Sequence, residues 1–193
     1  MLNGVRVGTG AALTESDEHG SAKRKGVSLR ESLQLITDPR NLDATVEEIF
    51  QMMLGIDCKP LAEMGAVDLN SNTGIDLESL TAVVGLGGIL SGACIFRSGG
   101  MTARRIASLM TGMEFETIDD TVKDGMGEIC NMLAGAWKSR VPDLAAHCGL
   151  SVPAVIVGRD YSLHVQSPEF QLHHFYRFED EMFEVTIVCD GLK

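Results

Sequence analysis

Two short stretches of the chain, 80 residues apart, carry the same pattern. Glu48-Ile49-Phe50-Gln51-Met52 matches Glu128-Ile129-Cys130-Asn131-Met132, and a glycine follows three residues beyond each, Gly55 and Gly135. Each stretch sits in a segment with helical apolar spacing, and each is followed by a connecting stretch and then a hairpin-like pair of β-rich runs. A duplicated unit of this kind limits the fold to two similar halves sharing one core, a pseudo-twofold domain. The competing explanation is that any two amphipathic helices share apolar spacing. The two copies differ where chemistry would sit, with Gln51 in one and Asn131 in the other.

The elements around the repeat point to the α+β class. Val46, Ile49, Phe50, Met53 and Leu54 predict a helix over Asp43–Leu54, with Asp43 as N-cap and Gly55 as its stop. A shorter helix is expected around Leu29–Ile36, and Asn70-Ser71-Asn72-Thr73-Gly74 closes a loop or weak strand. Leu80–Leu86 and Ile89–Phe96 read as strands joined by Gly87-Gly88, a hairpin pair. Helices follow over Met101–Met110, ending near Gly112, and from Thr117–Asp120 to Trp137 or Lys138. Pro153 confines the strand Val152–Val157 to an edge or makes it a strand start. Leu172–Phe178 and Phe183–Cys189 form a last pair around the charged turn Glu179-Asp180-Glu181. The expected architecture is an antiparallel sheet with helices packed on one face. Residues 1–26, rich in Gly, Ser, Thr and charge, read as a flexible tail, leaving 27–193 as the domain.

Charge and cysteines exclude several functions. A net charge of −11 disfavours nucleic acid and anionic membranes and suits a basic patch on a protein partner. No run approaches the roughly 20 apolar residues that span a bilayer, and the N-terminus lacks a signal-peptide core. The five cysteines, Cys58, Cys94, Cys130, Cys148 and Cys189, are odd in number and never spaced C-x-x-C, as expected for reduced thiols in a cytoplasm. No metal site is expected, because the adjacent His173 and His174 of one strand point to opposite faces and His164 stands apart. The methionine-rich helices suit adaptable packing. Gly85-Leu86-Gly87-Gly88 opens no helix and so is not a nucleotide loop.

The helix from Ile118 to Trp137 carries the functional case. Ile118, Val122, Met126, Ile129, Leu133 and Trp137 fall within an arc of about 100°, an ordinary core stripe. Asp124, Glu128 and Asn131, spaced i, i+4, i+7, share an arc of about 60° on the other side. Gly127, Ala134 and Gly135 flank Asn131, and each helical glycine costs about 1 kcal/mol relative to alanine. Either a partner or a neighbouring part of the same chain approaches that face closely. A carboxamide is no general base at neutral pH, but its fixed donors and acceptor suit orienting a water for in-line attack. Glu128, one turn earlier, suits gripping a cation on a partner.

The spacing Asp124, Glu128, Asn131 and then Pro153, 22 positions beyond the asparagine, resembles the pattern of the CheC/CheX/FliY chemotaxis phosphatase family. The stretch Asp124–Gly135 and the run Ala154-Val155-Ile156-Val157-Gly158 are also similar, and the resemblance covers about Asp43 to Asp190. It implies a cytoplasmic hydrolase that removes the aspartyl phosphate of a phosphorylated CheY-like receiver. Asn131 would orient the attacking water and Glu128 would pair with a receiver lysine. Asp124, Gly127 and Gly135 would lie on the partner-binding face, with Pro153 shaping the strand beside the site. No cofactor of its own is implied, since the receiver supplies Mg²⁺. In the first repeat Gln51 stands at the asparagine position, Ala44 at the aspartate and Thr73 at the proline, so Glu48 and Gln51 mark a degenerate second site. One intact site is the CheX-like arrangement, and it implies a homodimer. The alternative is a non-catalytic module of the same fold that docks on a receiver or in a flagellar-switch or signalling complex.

Overall fold

The computed structural model describes residues 34–61, 78–159, 161 and 168–192. The expected tail, residues 29–33 of the short first helix, His164 and the turn cluster at 70–74 lie outside them; residues 34–37 are helical. The elements run α1 (Pro39–Leu54), β1 (Lys59–Pro60), β2 (Ser79–Gly88), β3 (Leu90–Gly99), α2 (Gly100–Thr111) and α3 (Asp120–Ser139). They continue through α4 (Pro142–His147), β4 (Cys148–Leu150), β5 (Ala154–Gly158), β6 (Phe170–Phe178) and β7 (Glu181–Leu192).

The strands form one antiparallel sheet in the order β1-β6-β7-β3-β2-β4, with β5 also paired to β2. This order is the signature of the duplication. Hairpins β2–β3 and β6–β7 meet at the central β3–β7 pair, and each half lends a strand to the other half's hairpin. β1 from the first half pairs with β6, and β5 from the second half pairs with β2. The topological counterpart of β5 is therefore β1, which makes the start of β1, rather than Thr73, the equivalent of Pro153.

One face of the sheet holds the core. Leu80, Ala82 and Val84 of β2, Cys94 and Phe96 of β3, and Phe183, Val185 and Ile187 of β7 are fully buried beneath the helices. Phe183 stacks on Phe50 of α1 at 4.6 Å, on Phe96 at 4.9 Å and on Tyr176 of β6 at 5.4 Å, which ties the first helix to the centre of the sheet.

Three expectations are corrected in detail. The first helix starts at Pro39, and its cap is Asp38, whose carboxylate accepts from the Arg40 amide at 3.0 Å. Proline at the first helical position is pre-set for a helix start, and Asp43 lies inside the helix. There Asp43 Oδ1 accepts from Tyr176 Oη at 2.9 Å and meets His174 Nδ1 at 2.7 Å, joining α1 to β6. Gly87-Gly88 is not a two-residue hairpin turn: the β2–β3 pairing stops at Leu86↔Gly92, and the two glycines pair with Gly149 and Cys148 of β4 instead. Gly88 has φ +122°, and a Cβ there would lie 2.1 Å from the His147 carbonyl oxygen, so the approach of β4 requires a glycine. The last turn is shorter than expected, because Phe178 pairs with Glu181 and only Glu179-Asp180 connects the strands.

All five cysteines are free and buried. Burial pushes the Cys58 and Cys189 thiols up to about 12. A hydrogen bond with Cys130, together with burial, holds Cys94 well above the ordinary thiol range. These thiols stay protonated in the folded chain while the unfolded chain releases protons above about pH 8.5. Their contribution is therefore complete below that pH and is lost as pH rises towards 12. The decline is about 1.4 kcal/mol per pH unit for each thiol. Urea midpoints are expected to drop between about pH 8 and about pH 10.5, with a smaller drop in Cys58→Ala; identical midpoints across that range would contradict the buried-thiol account.

Candidate functional site

The site is built on α3. Asp119 starts the helix by accepting the Val122 amide at 2.9 Å. Val122, Met126, Ile129, Leu133 and Trp137 are all at most 1% exposed, as their shared stripe requires. The Cys130 Sγ on the same side of the helix lies 3.5 Å from the carbonyl oxygens of Ala82 and Cys94, either of which can accept its single S–H, so the helix backbone lies close over β2 and β3.

Seating that stripe on the sheet turns the opposite face outward. Asp124 and Glu128 are exposed and Asn131 is half-buried. The carboxylate and the carboxamide stand one turn apart, about 4.5 Å along the axis. Among the described residues neither side chain has a hydrogen-bond or ion-pair partner. An unengaged acid–amide pair on a rigid helix can offer a carboxylate to a cation while the planar amide accepts from and donates to a bound water.

Both flanking glycines face their own chain, so Gly127, expected on the partner-binding face, lies instead inside the fold. Gly127 is buried under Pro153 and Val155, where an added Cβ would meet the Pro153 Cβ at 3.2 Å. Its missing side chain makes room within the chain for Pro153, just before β5, and for Val155. Gly135 is half-buried, with Leu150 of β4 the nearest atom to an added Cβ at 3.8 Å.

Sequence spacing alone does not reveal the groove beside Glu128. A cavity of about 340 Å³ between α2 and α3 is lined by Ala107, Met110, Thr111, Thr121, Asp124, Gly125 and Glu128. Ala107, Met110 and Thr111 follow i, i+3, i+4 spacing, but only the packing of α2 on α3 shows that they face Asp124.

The first repeat is arranged differently. Glu48 and Gln51 are both exposed on α1, yet Glu48 is engaged by its own chain. Arg140, at the C-terminal end of α3, reaches Glu48 Oε2 at 2.6 Å through Nη2 and Thr45 Oγ1 at 2.7 Å through Nε. The carboxylate that matches Glu128 is thus already paired with a guanidinium.

A seven-stranded antiparallel sheet with exchanged strands, and an acid–amide pair on one central helix, define a pseudo-twofold α+β fold. Residues 80–174 match the family model described as chemotaxis phosphatase CheX. It is 32% identical over 87 residues to the CheY-P phosphatase CheX of Thermotoga maritima, an overlap of 45% of this chain and 56% of that protein. The chain thus spans little more than half the length of this relative. Among solved structures, CheX of Vibrio vulnificus aligns with TM-score 0.62 at 17% identity, covering 78% of this chain and 94% of that one. The CheX–CheY–BeF3–Mg2+ complex of Borrelia burgdorferi aligns with TM-score 0.59 at 20% identity, covering 78% and 96%.

The two inner glycines of α3 should respond oppositely to substitution. At Gly125 an added Cβ meets the flexible Met110 Sδ at 3.4 Å and Ala107 at 3.9 Å, both ordinary contacts, so Gly125→Ala is expected to raise stability by up to about 1 kcal/mol. Gly127→Leu forces Pro153 and Val155 away and is expected to lower stability by about 1–3 kcal/mol. Urea denaturation of both variants decides the matter; a Gly127→Leu protein as stable as wild type would show that Pro153 does not bear on the helix.

Proposed function

We propose that this chain hydrolyses the aspartyl phosphate of a CheY-like receiver, in the cytoplasm, from the single site Glu128–Asn131. The observation that carries the reading is the unengaged acid–amide pair on the outward face of α3, inside the region that matches the CheX family. A relative named CheY-P phosphatase CheX, and a structural neighbour crystallised with CheY, BeF3 and Mg2+, support the choice of partner.

In this reading Asn131 inserts beside the phosphoryl group and holds a water in line with the bond to the receiver aspartate. The water oxygen bonds to phosphorus, the bond to the aspartate breaks, and inorganic phosphate leaves with the receiver carboxylate restored. Positioning can supply most of the acceleration, since phosphoryl transfer demands little covalent chemistry from the protein. Glu128 pairs with a receiver lysine and sets the register of the amide. Mg²⁺ held by the receiver shares the charge on the phosphoryl oxygens. The degenerate Glu48–Gln51 face is taken to be silent, because Arg140 already occupies Glu48. A homodimer belongs to the same proposal; β5 offers such a pair an edge with Ile156 and Val157 exposed.

Decay of phosphorylated receivers from the host, followed with and without the protein, tests this function. Wild type should shorten the phosphate lifetime, and Asn131→Ala should reduce the acceleration on the order of 100-fold. Glu128→Ala should weaken association, most visibly at low salt, where a partly exposed ion pair is least screened. A lifetime unchanged by wild type sinks the phosphatase reading, and binding without any change in lifetime identifies a non-catalytic docking module.

A further inference from the structure

We propose that the groove between α2 and α3 is a specificity pocket that receives an apolar side chain from the receiver, beside the cation held by Glu128. The inference rests on the receiver being the partner and deepens it by naming what the chain reads on that partner besides the phosphate.

Three observations carry it. The groove is continuous with the site, since Glu128 and Asp124 form one wall while Met110, Ala107 and Thr111 of α2 form the other. Its floor is apolar and is deepened by Gly125, whose absent side chain leaves Met110 and Ala107 as the nearest atoms. At about 340 Å³ it has room for one bulky apolar side chain.

Its surroundings are predominantly acidic, although Arg104 of α2 donates to the Glu116 carbonyl oxygen there. Glu114, Glu116, Asp119, Asp120, Asp124 and Glu128 are all exposed between residues 112 and 128. The one base in that stretch, Lys123, is paired with Asp120 at 2.9 Å. The fitting occupant is therefore an apolar side chain on a basic surface, and the acidic rim would speed encounter with it. The other exposed acid–amide face, Glu48–Gln51, has its acid neutralised by Arg140.

Thr121 is exposed on the rim, and water positioning by Asn131 does not use it. Thr121→Trp fills the groove, Met110→Ala removes part of its wall, and Met52→Trp, at an exposed position on α1, is the control. The probes are the host's CheY-type receivers loaded with BeF3⁻ and Mg²⁺ for binding, and the same receivers phosphorylated for turnover. Thr121→Trp is expected to raise the dissociation constant and the half-saturating receiver concentration about ten-fold or more, leaving the saturating rate and the control within about two-fold. Met110→Ala is expected to shift both in the same direction.

Wild-type affinity in both groove variants overturns the pocket, and loss of turnover in Asn131→Ala alongside it leaves the phosphatase standing. If wild type binds a loaded receiver without speeding decay, and Thr121→Trp weakens that binding, the phosphatase reading fails and the pocket holds. If wild type binds none of the receivers, the pocket is overturned.

Discussion

The whole site depends on how closely α3 lies on the sheet. Cys130, Ala82 and Cys94 are small, and the thiol of Cys130 can reach two strand carbonyls at 3.5 Å because no larger side chain intervenes. Around that contact Met126, Ile129, Leu133 and Trp137 fill the space over β2 and β3. A fully buried side chain of this kind contributes about 1.5–3 kcal/mol, so the stripe fixes both the depth and the rotation of the helix. Once the rotation is fixed, Asp124, Glu128 and Asn131 have no choice but to face away from the sheet.

The duplication supplies the frame and also explains why only one of its copies is free. Exchange of β1 and β5 between the halves locks the two hairpins into one sheet, so neither half keeps an independent core. The second half carries α4 and β4 between α3 and β5, where the described residues 55–58 of the first half hold no element, and β4 covers Gly87 and Gly88 at the end of β2. Arg140, just before α4, is placed by this arrangement over α1, where it bonds Thr45 and Glu48. The pair is partly exposed, so its contribution to stability is small. Its effect lies in what it occupies, a carboxylate that would otherwise face outward like Glu128.

Much of this was legible in the sequence because it is periodic. The α3 stripe, the stop at Gly55, the edge position of β5 and the paired strands near the C-terminus follow from spacing and turn chemistry, and the acid–amide pair lies on one helical face by arithmetic. What was not legible depends on contacts far apart in the chain. Gly87-Gly88 has the composition of a hairpin turn, yet tertiary pairing with β4 overrides it, since residues 148–150 return to the far side of β2. Asp43 looked like a cap because it begins the strongest apolar run, whereas the cap is Asp38, ahead of Pro39, and Asp43 serves Tyr176 and His174 across the interface. The groove needs the relative placement of α2 and α3, which no local pattern encodes.

The different exposure of the two site residues is consistent with a division of labour. Glu128 stands in solvent with a flexible side chain, suited to meeting a charge whose position varies as two proteins dock. Asn131 is shorter and half-buried, so under the proposed chemistry its amide would have fewer orientations to lose in holding a water. Pro153 and Val155 lie over Gly127, the residue just before Glu128, and resist rocking of the helix on the sheet. A longer amide, as at the exposed Gln51, would add a rotatable bond. On the proposed chemistry the duplicated halves therefore differ in the length of the amide and in whether its neighbouring carboxylate is already paired.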